Sequence, residues 1–237
     1  MQISDDLMLG PVFSGKANSD GPSLMELGVG PMGRVFVFDT VPLTLNTTGL
    51  AAAQAVAGAA NLTLTAGTGV TMVSGILVLD VPRCVDTVSS NAGDTTQTVT
   101  FYGFDEYGQA MTQTVTLNGT NRVPTTKAFK RVSRIAVSAA TTGNVSAGTT
   151  DTIGLPYRLL SKDYITFNYN ATVGLLAAVT AAVLTSPATA ATGDVRGTIA
   201  LASASDGSKR LVAMIALPAI ACGPNATRIG ALGVTQA

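Results

Sequence analysis

The chain has 237 residues, with 14 basic and 14 acidic side chains and no histidine. Charged residues make up 12% of it, against roughly 25% in an average soluble protein, and the mean hydropathy is +0.39. These figures exclude histidine acid–base catalysis and nucleophile–histidine pairs. They also leave no basic stripe for nucleic acid and imply that much of the surface faces other protein instead of water.

Residues 1–33 mix Gly, Pro, Ser and Asp with scattered apolar side chains, the pattern of an extended arm that must lie on something else. Its apolar residues are the candidate interface to a partner or a second subunit: Leu7, Met8, Leu9, Val12 and Phe13, then Leu24, Met25 and Leu27. The opening "MQISDDLMLGPVFSG" has acids where a signal peptide would be basic, so no export is expected. "GVGPMG" (28–33) matches G-x-G-x-x-G by letter, but a polar arm precedes it and a strand pattern follows, the reverse of a dinucleotide site. We read it as a turn entering the first strand. "RVFVFDTVPLTL" (34–45) is β-rich, and Pro42, lacking an amide donor, places it at a sheet edge or a bend. "GLAAAQAVAGAANL" (49–62) is the best helix candidate because alanine dominates it.

From Asn61 onward the pattern is strands. "NLTLTAG" alternates apolar and polar, and "GILVLDVPRCVDTV" (75–88) is β-branched and apolar. "TTQTVTFYGF" (95–104) and "AMTQTVTL" (110–117) alternate with period two. "KRVSRIAVSAA" (130–140) continues that pattern with a one-residue irregularity between Val132 and Ile135. "GNVSAGTTDTIGLPYRL" (143–159) reads as strand, polar turn and strand. "DYITFNYNATVG" follows as a strand, "LLAAVTAAVL" as a buried strand or a short helix, and "DVRGTIALAS", "ASDGSK" and "RLVAMIAL" as strand, turn and strand. Short strands at near-regular spacing indicate an all-β protein, a β-sandwich or jelly-roll-like body with an extended N-terminal arm. The expected division is 1–45, arm and first edge strand; 46–160, main β-sandwich; and 161–237, a β-rich part with a tail.

The longest apolar runs, 173–184 and 211–222, fall short of the ~20 residues of a spanning helix, so no membrane partner is expected. Cys84 and Cys222 are expected to be reduced and buried. Two cysteines and no histidine do not suggest a metal site, and no cofactor is expected.

An enzyme would have to use paired carboxylates, and "FDEYGQ" offers Asp105 and Glu106. Neighbours on a strand point to opposite faces, so the pair is poorly placed to act together on one bond. Two alternating runs flank "EYGQ", and Gly108 can supply the positive φ of a tight turn. The expectation is a hairpin with Asp105 and Glu106 at a solvated tip, and no enzyme. Tyr102, Phe104 and Tyr107 cluster on the same hairpin and keep a receptor- or carbohydrate-binding module as an alternative. The basic run "KAFKRVSR" (127–134) reads as a solvated or interfacial strand face.

The succession "DVPRCV", "TFYGFDEYGQAMTQTVT", "KAFKRVSRIAVSAATTGNVSAGTTDTIGLPYRL" and "TGDVRGTIALASASDGSKRLVAMIAL" resembles small β-rich structural proteins of tailed bacteriophage virions, of the head-decoration or cement type. The similarity covers roughly residues 75–217 and leaves the arm outside. The resemblance implies a non-enzymatic protein made in the host cytoplasm and located on the capsid surface of the virion. It implies binding to the major capsid protein and to itself, as a homotrimer, so as to stabilise the DNA-filled head. A tail or neck adaptor, or the base of a fibre, is the alternative within the same class.

Overall fold

The computed structural model describes residues 32–183 and 193–218. Strand makes up 51% of it and helix 3%, in curled antiparallel sheets that form a sandwich-like body. The candidate interface residues Leu7 to Leu27, most of "GVGPMG" and Cys222 lie outside the described residues.

Fourteen strands follow in order: β1 (Met32–Thr40), β2 (Ala51–Gln54), β3 (Ala60–Asn61), β4 (Val70–Val73), β5 (Ile76–Ser89), β6 (Thr98–Phe104), β7 (Ala110–Thr116), β8 (Val123–Val137), β9 (Val145–Gly154), β10 (Ile165–Tyr169), β11 (Thr172–Val173), β12 (Val179–Thr180), β13 (Thr198–Ala200) and β14 (Leu211–Pro218). The larger sheet runs β12-β13-β9-β5-β8-β6-β7, with β2 on β9, β3 on β8 and β4 on β5. The smaller runs β1-β14-β10-β11.

The larger sheet curls because its two longest strands are broken by bulges. In β5 the pairing with β8 shifts between Val78 and Arg83, around Pro82, which has no amide to give to the ladder. In β8, Tyr102 faces Arg134 and Gly103 faces Val132, so Ser133 is the extra residue and supplies the expected irregularity. The curl closes over Leu77, Val85, Val99, Phe101, Phe129 and Ile135, all fully buried. The Phe101 and Phe129 rings lie 6.2 Å apart at a tilt.

A second core lies under the smaller sheet. Strict alternation sends Ile165, Phe167 and Tyr169 of β10 and Leu211, Ala213 and Ile215 of β14 inward, onto Val81, Ile153 and Ile199 of the larger sheet. Phe36 and Phe38 of β1 join them, and Phe36 stacks on Tyr157 at 3.9 Å between centroids. β1 is an edge strand ending just before Pro42, as its proline suggests.

Three readings need correction. Residues 49–62 are not a helix: they form β2 and β3. Leu50 and Ala51 are buried, with the Leu50 amide donating to Ala147 and β2 paired to β9; tertiary pairing overrides the weak local preference of alanine. Residues 145–154 are one continuous strand, because Thr149 and Thr150 turn their hydroxyls onto the backbone carbonyls of Asn46 and Cys84. "NLTLTAG" contributes only Asn61 to a strand. "LLAAVTAAVL" resolves into a 3₁₀ turn, Leu176–Ala178, followed by β12.

Candidate interaction surface

The β6–β7 hairpin forms as expected, in unbroken register from Thr98 opposite Thr116 to Phe104 opposite Ala110, with Gly108 at φ +77°. Tyr107 and Gly108 at its tip are exposed, but Asp105 is buried and Glu106 half-buried, which corrects the reading of the carboxylates. Asp105 is only 1% exposed. Its Oδ1 accepts from the amides of Tyr107 (2.9 Å) and Gln109 (2.8 Å), and its Oδ2 accepts from Arg196 Nη2 at 2.8 Å. Tyr107 donates its hydroxyl to the Pro156 carbonyl at 2.8 Å, and the Arg196 guanidinium lies over the Tyr107 ring. Arg196 is held in turn by Asp194, whose Oδ1 accepts from the Arg196 amide and whose Oδ2 accepts from the Ala128 amide. Burial pushes the Glu106 carboxyl above its ordinary range, against the pull of Lys130 Nζ 3.9 Å away. Asp105 and Tyr107, without Glu106, therefore make a clasp that fastens the hairpin to residues 156 and 196. Both Asp105 oxygens take hydrogen bonds from within the chain.

The basic run is also not a uniform solvated face. Lys127 is fully buried, and desolvation lowers the pKa of its ammonium group, which donates to the Thr112 carbonyl. Lys130 Nζ donates to the Asp80 carbonyl. Arg134 stacks on Tyr102 at 3.7 Å from the ring centroid, covering one face of an aromatic that a sugar ring would need. An open groove of about 430 Å³ runs beside Tyr102 and Phe104, between Gly103, Ala110 and Ser133.

Another buried charge organises the base of the smaller sheet. Arg83 grips Asp80 with Nε and Nη2, at 2.9 and 2.6 Å, and donates from Nη1 to Ser205 and from Nη2 to the Leu43 carbonyl. Ser205 also donates to Asp151 at 2.6 Å. These bonds fix the chain as it leaves β1 and as it approaches β14. Cys84 is a free, buried thiol whose pKa burial drives far up, consistent with an inert core residue. Among the described residues no group of three or more His, Cys, Asp or Glu could hold a metal ion, and no helix is long and apolar enough to cross a membrane.

What the described residues do present is apolar surface on the smaller sheet. Alternation that buries Phe36 and Phe38 turns Val35 and Val37 outward, and Val37 is 63% exposed. Val37 lies opposite Met214 of β14, which lies opposite Thr166 of β10. One row along, Asp39, Val212, Asn168 and Val173 cross the same face, and Val173 is 72% exposed. Leu175 and Leu176, just after β11, are exposed too. Charge enters only at the end of β1, where Arg210 Nε donates to Asp39 at 2.7 Å. These six side chains leave on the order of 600 Å² of apolar surface in total, in stretches separated by the exposed Thr166 and Asn168.

Compared with protein-family models, with curated proteins and with solved structures, the chain finds no match.

The sequence reading missed this face because it looked for interface residues in the arm. Its signal was present in "RVFVFD": a β-strand whose two faces are both apolar has one more partner than its own core provides. Arg196, Asp194 and Arg83 carried no such signal, since each is defined by partners remote in the chain.

Proposed function

We propose that this protein is a non-enzymatic head-decoration protein of a tailed bacteriophage, which binds the outer capsid lattice and stabilises the DNA-filled head. The observation that carries the reading is the apolar outer face of the smaller sheet around Val35, Val37 and Met214, on which the Asp39–Arg210 pair at the end of β1 is the charge described. Such a surface gains free energy by contact with protein, at about 25 cal/mol per Å² before the costs of association. The resemblance to virion structural proteins supplies the partner, the major capsid protein. The clasp at Asp105 and the Arg83 network supply a body stiff enough to bridge neighbours on a lattice.

The arm, with Leu7, Met8, Leu9, Val12, Phe13, Leu24, Met25 and Leu27, is proposed as the principal capsid contact. Both cores lie within residues 32–218, so deleting residues 1–30 should leave the unfolding midpoint nearly unchanged while abolishing occupancy on purified capsids. Full occupancy of the shortened protein would overturn the assignment of the arm.

A further inference from the structure

β1 pairs with β14 on one side, and the sheet ends on the other. The other long edge strand, β7, is folded back on β8: Gln113 Oε1 accepts from the amides of Thr126 and Lys127, and Lys127 Nζ donates to the Thr112 carbonyl. The remaining edge strands are short: β3, β11 and β12 have two residues each, and β2 and β4, each paired on one side only, have four. β1 is thus the one long strand edge among the described residues with no such cover. It has nine residues without proline or lysine, and the features that guard an edge, Arg34 with the register shift beside it and Asp39, lie towards its two ends and leave 35–38 between them.

We infer that β1 is the self-association site of this protein: a second copy adds its own β1 antiparallel across a two-fold axis, joining two four-stranded sheets into one of eight. The sequence of the strand argues for a copy of itself over other occupants. "VFV" (35–37) and "FVF" (36–38) each read the same in both directions, and a two-fold edge contact must be self-complementary. An axis perpendicular to the sheet keeps outward residues outward, which allows two central registers. In one, Phe36 meets Phe36 and Val35 meets Val37; Arg34 then falls opposite Phe38. In the other, Val37 meets Val37 and Phe36 meets Phe38; Arg34 then falls opposite Thr40. No like charges oppose in either. Outward Val35, Val37 and Met214 of both copies become one stripe, and the free amides and carbonyls of β1 find partners. The contact is two-fold, unlike the three-fold the resemblance implies, because a strand that matches itself meets itself. The inference deepens the reading of the chain as an assembly part and rests on it for its purpose, but it is tested on the free chain, so its failure leaves any particle measurement untouched.

The test is the mass of the full-length protein by sedimentation at tens of micromolar, with Val37→Lys and Val37→Glu as variants. Val37 points outward, so both should keep the wild-type unfolding midpoint when it is measured at dilutions where the wild type too is monomeric. The expected result is a wild-type dimer, dimerisation weakened roughly 100-fold in each variant by like charges brought together, and restoration when the two are mixed. Hydrogen exchange on the wild type provides a readout without substitution: β1 amides that do not bond to β14 should become protected as concentration rises. A wild-type monomer, a trimer, or a dimer indifferent to both substitutions would overturn the inference. So would a monomer with those amides already protected, which would assign the edge to the chain's own terminal residues.

Discussion

Arg196 lies 91 positions from Asp105, yet its Nη2 sits 2.8 Å from Asp105 Oδ2, with the two side chains 3% and 1% exposed. The pair closes the β6–β7 hairpin onto the strand-poor segment before β13. Breaking a buried pair from one side strands the other charge, at a cost of about 3–5 kcal/mol. Asp105→Ala should therefore destabilise by that amount in urea unfolding, and more than Arg196→Met combined with Asp105→Asn, which removes both charges. Equal losses in the two proteins would show that the turn hydrogen bonds to Tyr107 and Gln109, and not the charge, make Asp105 matter.

Three backbone positions, two of them left-handed, give graded expectations. Gly108, at φ +77°, would put an added Cβ in ordinary contact with Arg131 Nη1 at 3.8 Å, so Gly108→Ala should cost about 1 kcal/mol from backbone strain alone. Gly103 sits at the Ser133 bulge, where an added Cβ would lie 2.0 Å from the Arg131 carbonyl oxygen. Gly103→Ala should cost roughly 2–3 kcal/mol, because backbone must move. Ala171, at φ +60° in the β10–β11 turn, is strained as it stands. Ala171→Gly should stabilise by a few tenths of a kcal/mol to about 1. Chemical denaturation of the three variants orders them, and a neutral Gly103→Ala would contradict the bulge.

Acid should weaken the fold through Asp94. The Ser89 hydroxyl, which bonds it at 2.5 Å, and the amides of Thr142 and Gly143 hold its carboxyl below the ordinary range. A lowered native pKa contributes stability above the unfolded value, near 3.9, and loses it as pH falls through the native one. Asp94→Asn should flatten the decline of stability between about pH 5 and 3. Glu106 has the opposite sign: its raised native pKa contributes stability at low pH that is lost as pH rises through that value. Glu106→Gln should therefore not reduce stability at neutral pH, and a marked loss would mean that Lys130 gives more than burial takes.

Most strands were legible because alternation is a local property: β6, β7, β10 and β14 each bury one face residue by residue, and Gly108 marks their sharpest turn. Even the bulge at Ser133 was readable, as a break in phase between Val132 and Ile135. Ala-rich residues 49–62 misled, since alanine's helical preference is small beside the pairing of β2 with β9. Asp105 misled for a different reason. A carboxylate in a turn reads as solvated unless its cation is known, and nothing local announces Arg196. The outward apolar residues of β1 could have been seen in "RVFVFD", but a strand apolar on both faces reads equally as a central strand until the sheet order is known.

The copy number of this chain relative to the major capsid protein, measured by quantitative mass spectrometry on purified phage particles, tests the account most directly. A decoration protein predicts a ratio near one or a simple fraction of it. A ratio of a few per hundred would place the chain in the tail or neck, and its absence from particles would contradict the structural reading altogether.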